Sequence, residues 1–205
     1  LIYMDTKASQ KDFLSYYMYG AVAPKYYDMF GQEDTDEYYH HLHELMKPYI
    51  STDSRMLDIA GAWGEFAGYM SRLGYRDVTV LDPNEKCISS ANKFGVKTLL
   101  TDSTGMGDAA DNSFDMVILN HSLEHILGVD STMRNISRVL KDEGYLFIEV
   151  PDVEGYADEA AAPFNFLTYE HVLHMSMNDM KNLAGEYGFE ILDKGYYYKK
   201  VRNYP

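Results

Sequence analysis

Beyond residue 55 the chain alternates between short apolar runs and stretches whose apolar residues recur at helical spacing. Met56-Leu57-Asp58-Ile59 has the length and make-up of a strand, and a Gly/Ala turn follows it. Phe66, Tyr69, Met70 and Leu73 then stand at i, i+3, i+4 and i+7, which predicts a helix, with Gly74 at its end. Residues 78–81 predict a second strand, 84–94 a second helix and 96–100 a third strand. The run 114–119 is apolar throughout, the pattern of a central strand buried on both faces. A helix over 131–140 puts Met133, Ile136 and Leu140 on one face, and a strand over 145–150 lies between Gly144 and Pro151. Residues 152–175 read as irregular. Ser176 with Asp179 marks another helix start, Gly188 its end, and 189–197 a sixth strand.

Strands that alternate with helices imply an α/β fold with a mostly parallel, doubly wound sheet, because parallel neighbours need crossover connections. Residues 1–50 differ: they read as a Tyr-rich helical cap placed before a domain of residues 51–205. Within 36–47 the positions Tyr38, Leu42, Leu45 and Met46 form an apolar stripe that stops near Pro48. The chain opens at Leu1 without an initiator Met and closes at Pro205 just after a strand-like run, as expected of a piece of a longer polypeptide.

Composition narrows the choice of function. The 205 residues carry 18 basic and 32 acidic side chains, a formal net charge of −14. Grip on a phosphate backbone uses clustered Lys and Arg, so the balance argues against nucleic acid and against an anionic membrane surface as partners. No apolar run reaches membrane-spanning length, residues 1–10 lack a signal-peptide pattern, and the one cysteine, Cys87, cannot form an internal disulfide; these features fit a cytoplasmic setting. The 19 tyrosines suit packing, with those between Tyr16 and Tyr39 able to close over a small molecule.

In a doubly wound sheet, ligands sit outside the carboxyl ends of the strands. There this sequence places acidic and small residues in step: Asp58-Ile59-Ala60-Gly61-Ala62-Trp63-Gly64-Glu65 after the first strand, Asp82-Pro83-Asn84 after the second, Asp102-Ser103 after the third and Asn120-His121 after the fourth. A tight turn lets backbone approach a ligand, and a carboxylate at the second strand tip can accept two hydrogen bonds from a ribose diol. A dinucleotide fingerprint would need a small residue where Glu65 stands, so a pyrophosphate cofactor is disfavoured.

Residues 57–66 resemble the glycine-rich first motif of class I S-adenosylmethionine-dependent methyltransferases. Asp82 matches that family's ribose-binding acid and Asp102-Ser103 its adenine-side position. Asn112-Ser113-Phe114-Asp115-Met116-Val117-Ile118 with Leu123-Glu124-His125 is similar to the fourth-strand motif. Ser137-Arg138-Val139-Leu140-Lys141-Asp142-Glu143-Gly144 is similar to the signature leading into the fifth strand. The resemblance spans about residues 55–197. It implies a Rossmann-like class I fold, S-adenosyl-L-methionine as cofactor with S-adenosyl-L-homocysteine as product, and a small-molecule methyl acceptor. It assigns the cofactor to Asp58, Ala60, Gly61, Ala62, Gly64, Asp82, Pro83, Asp102, Ser103 and Asn120. Ala60 and Ala62 replace glycines of the first motif, which is penalised wherever φ is positive. The resemblance also implies a last antiparallel strand, which is not expected before Pro205; fusion, truncation or a partner strand would account for that.

Two histidines are the catalytic candidates. His121 lies at the expected methyl position after the fourth strand. Glu170-His171-Val172-Leu173-His174-Met175-Ser176 resembles a segment of a methyltransferase subgroup that includes sugar C-methyltransferases, which makes His171 the candidate general base. His40, His41 and His43 read as a solvated helix face, so no metal is expected. The reading is a methyltransferase acting on a sugar, nucleotide-sugar or natural-product intermediate. The alternative is a catalytically silent cofactor-binding or docking domain, and a homo-oligomer or a longer parent chain stays open.

Overall fold

The computed structural model describes residues 2–3, 9–20, 25–106, 109–157, 167–168 and 170–195. Its centre is a five-stranded parallel sheet in the order β4-β3-β2-β5-β6, formed by Arg55–Ile59 (β2), Asp77–Asp82 (β3), Lys97–Leu100 (β4), Phe114–Asn120 (β5) and Leu140–Glu149 (β6). Helices Glu65–Arg72 (α3), Glu85–Ala91 (α4) and Val129–Val139 (α5) make crossovers. The chain runs outward from β2 to β4, then returns to pair β5 on the other side of β2. That reversal opens a crevice beyond the carboxyl ends of β2 and β5, the position where such sheets bind ligands.

Side-chain alternation along the strands builds a core on each face. Met56, Val78, Val80, Met116 and Ile118 meet α3 through Phe66 and Met70, and meet the long helix Tyr26–Met46 (α2) through Tyr38, Tyr39, Leu42 and Met46. Leu57, Ile59, Leu81, Val117 and Leu119 point the other way and meet Met133, Ile136 and Val139 of α5. The predicted doubly wound α/β architecture is therefore the one the molecule adopts. Local chemistry sets the ends of several elements. Gly64 in the left-handed region (φ 76°) starts α3, the Asn84 side chain caps α4 by accepting from Lys86 N–H, and Ser176 with Asp179 closes a capping box on Met177–Glu186 (α6).

Some expectations need correction. Leu45 is 39 % exposed, whereas Tyr39 is buried in its place, so the inward stripe of α2 runs through 38, 39, 42 and 46. A kink at Gly31 (φ 77°) divides the same helix, and a short helix Gln10–Ser15 (α1) with a π-helical turn Tyr16–Gly20 comes before it. Leu140 opens β6 and is not the end of the preceding helix. The predicted sixth strand is irregular over 189–195: Asp193 and Gly195 interrupt the apolar pattern, and Ile191 and Leu192 stay exposed. Its remaining positions, 196–197, lie outside the described residues. Unforeseen was a two-residue antiparallel pairing of Ile2–Tyr3 (β1) with Leu173–His174 (β7).

Candidate active site

The strand tips open into a broad cavity of about 1680 Å³ that continues as a groove along β6. Ala60, Ala62, Asp82, Pro83, Asn84, Asp102, Ser103 and Asn120 line one end, and His121, His125, Glu170 and His171 line the other. Asp58, Gly61 and Gly64 are not part of that lining; they form the floor of the turn. A side-chain carbon on Gly61 would fall 2.6 Å from Asp58 Oδ2, so only glycine lets the turn close over that carboxylate. Ala60 (φ 55°) and Ala62 (φ 45°) both sit in the left-handed region, where alanine is strained.

Asp82 is the best-oriented group of this half. Its Oδ1 accepts from Asn84 N–H at 2.8 Å and its Oδ2 from Ala62 N–H at 3.1 Å, which fixes the carboxylate plane and leaves one lone pair on each oxygen. Burial pushes Asp82 up to about 6, against the pull of those two N–H donors. Burial first, and the neighbouring Asp82 second, push Asp58 up to about 7. Asp102 Oδ1 accepts from both the N–H and the hydroxyl of Thr104. The Ser103 hydroxyl pairs with Thr132 at 2.9 Å inside the protein. Glu65 is buried and accepts from Tyr27 N–H at the start of α2. Cys87 lines the cavity, but burial pushes its thiol up to about 12, which leaves it a packing group.

At the other end, His121 follows β5 in a left-handed conformation (φ 48°) that aims its ring between Glu124 Oε1 (3.4 Å) and Glu149 Oε1 (3.5 Å). Burial opposes the charged ring, but the two carboxylates outweigh it and push His121 up to about 10. It is thus an imidazolium at neutral pH, with no lone pair to take a proton. His171 is the opposite: burial, and then the nearby His125, lower it below the usual histidine range and keep it neutral. His125 and His171 stand edge to face, 4.7 Å between ring centres.

Tyrosines of the N-terminal segment reach both ends. Tyr38 donates to Asn120 Oδ1 (2.8 Å), and Tyr16 donates to Glu170 Oε1 (2.7 Å). The Tyr17 hydroxyl meets His125 Nδ1 at 2.9 Å, while its carbonyl accepts from Asn84 Nδ2 at 2.7 Å. Sequence reasoning noticed these tyrosines as a group but missed Glu149, the carboxylate at the tip of β6. The signal was present: it precedes Val150-Pro151 as the other acids precede their turns.

A doubly wound sheet with aligned carboxylates at its strand tips and a tight small-residue turn defines the class I methyltransferase type of nucleoside-binding domain. The chain belongs to the methyltransferase domain family, whose model matches residues 31–194. Among curated relatives it is similar to two ubiquinone/menaquinone biosynthesis C-methyltransferases. With that of Roseobacter denitrificans it is 28% identical over 102 residues, 46% of this chain and 41% of the relative. With that of Haemophilus ducreyi it is 22% identical over 171 residues, 69% of this chain and 66% of the relative. The chain thus spans less than two thirds of either relative's length. Among solved structures, a SAM-dependent methyltransferase from Archaeoglobus fulgidus superposes with a TM-score of 0.65 at 19% identity, covering 81% of this chain and 75% of that one. The [4+2]-cyclase SpnF shares the fold too, with a TM-score of 0.62 at 19% identity, covering 86% of this chain and 63% of that one.

Proposed function

We propose that this domain binds S-adenosyl-L-methionine at the tips of β2, β3 and β4 and transfers its methyl group to a small molecule held against β5 and β6. The observation that carries this is Asp82, a buried carboxylate held by two backbone N–H groups with a lone pair left on each oxygen for a ribose diol. The donor set also fits the cofactor's charge. Two buried carboxylates, Asp58 and Asp82, would repel a pyrophosphate and favour a ligand that carries a sulfonium and an ammonium. When bound, the cofactor supplies an electrophilic methyl group. The protein then has to hold the acceptor in line with it and keep competing water away.

For that half, the neutral His171 ring is the group suited to take a proton from the acceptor, and the His121 imidazolium fixes Glu124 and Glu149 around it. The acceptor class remains a sugar, a nucleotide-sugar or a natural-product intermediate, and the C-methyltransferase relatives favour carbon as the methylated atom. Titration calorimetry with S-adenosyl-L-methionine and S-adenosyl-L-homocysteine tests the reading. Asp82→Ala removes two hydrogen bonds to a charged group, about 1.5–3 kcal/mol each, and should weaken both ligands by about 100-fold or more. Failure of the folded parent domain to bind either ligand at millimolar concentration overturns the reading. It would favour the silent docking module.

A further inference from the structure

Glu124, His125 and His171 each bring a donor atom to one point, and these atoms all lie within 4.8 Å of one another. We infer that they form a binding site for a divalent first-row transition metal at the acceptor end of the cavity. Two ring nitrogens and one carboxylate oxygen are donors for zinc, cobalt or iron(II) and a poor set for magnesium. Donors around a tetrahedral ion at about 2.0–2.2 Å stand roughly 3.4 Å apart, so small side-chain rotations close the empty cluster onto the metal.

Three further features of the surroundings fit. Glu124 is 2 % exposed; its Oε1 faces His121, and its Oε2 is buried with no hydrogen-bond donor among the described residues. A buried carboxylate oxygen left so is costly, and a cation satisfies it. The Nδ1 of His125 lies 3.0 Å from the Glu170 carbonyl, which can only accept. This contact favours the tautomer with the proton on Nδ1, where the Tyr17 hydroxyl would also accept, and the lone pair on Nε2, the arrangement that orients ligating imidazoles elsewhere. Backbone adds a tie, since Val172 N–H donates to the Glu124 carbonyl at 2.9 Å and holds the segment carrying His171 against the turn carrying the other two ligands. With three protein ligands, such a metal keeps an open position toward the cavity. There it would bind an acceptor oxygen and lower its pKa, taking over proton removal from His171, whose lone pair it occupies; this role, unlike the site itself, rests on the proposed methyl transfer.

Cobalt(II) titration of chelator-treated protein, read by visible absorption and by metal analysis after gel filtration, tests the site. One cobalt per chain with a low-coordinate spectrum is expected. His171→Ala should lose more affinity than the about 10–100-fold that an outer-shell partner costs, while still binding S-adenosyl-L-homocysteine as proof of folding. His40→Ala serves as the control, because His40, His43 and Glu44 form a second such cluster on α2, and it should change nothing. No cobalt on the parent protein, or cobalt lost with His40→Ala and kept with His171→Ala, overturns the inference. The ligand calorimetry is independent of metal: loss of nucleoside binding with cobalt retained would sink the methyl-transfer reading and spare the site.

Discussion

Single residues carry most of the unusual energetics. Asp58 and Asp82 lie well above an unfolded carboxylate near 3.8, so the empty fold retains protons that the unfolded chain has released. The stability these groups give is complete below pH 4 and is lost as pH rises through 6 and 7. Asp58→Asn removes the less exposed of the two anions. Its midpoint of thermal unfolding at pH 8 should exceed the parent's, with little difference at pH 5. Each kcal/mol recovered moves that midpoint by about 2–4 °C in a chain of this size, which melts at the two pH values would show. The turn above Asp58 gives a second prediction. A left-handed alanine costs about 1–2 kcal/mol, and glycine returns about 0.4–1 kcal/mol of that through the unfolded chain. Ala62→Gly should then be neutral or stabilising by up to about 1.6 kcal/mol in urea unfolding, and Ala62→Val plainly destabilising. The same strain was legible beforehand as glycines missing from a glycine motif. The charge state of His121 was not, because one of its two carboxylates arrives from β6, 28 positions along the chain.

At the scale of elements, periodicity located the strands and helices of the sheet because each buries a face the sequence displays. β5 was predicted as central from its apolar run, and it pairs with β2 and β6. Where the pattern misled, neighbours decided. Leu45 and Tyr39 are both apolar but stand about 120° apart around α2, and the position of α3 selects Tyr39, whose ring packs against Phe66 at 5.4 Å. The pairing of β1 with β7 joins segments about 170 residues apart through two residues each, too short to leave a periodic trace. Close approach of α3 to α4 gives the prediction for this scale. A side-chain carbon on Gly64 would lie 2.6 Å from Ala91 Cβ and 2.7 Å from its Cα, at a φ of 76°. Gly64→Ala combines a left-handed penalty of about 1–2 kcal/mol with an overpacking cost of about 1–3 kcal/mol. A loss of about 2–5 kcal/mol in chemical denaturation is expected, whether or not ligand is present.

For the molecule as a whole, net charge is the dominant long-range term. A formal charge of −14 on 205 residues repels itself, and screening relieves that repulsion. Raising sodium chloride from about 10 mM to 200 mM should therefore raise the melting midpoint by a few degrees, and a midpoint that falls with salt would contradict it. Among the described residues no helix is long and apolar enough to cross a membrane. Tyr17 matters at this scale as well, since one residue hydrogen-bonds to Asn84 beyond the tip of β3 and to His125 beyond the tip of β5. On the proposed function, a guest that displaces Tyr17 from one of these contacts also loosens its hold at the other. The two guests then share a single displacement cost, so each raises the other's affinity, and by thermodynamic linkage the factor is the same in both directions.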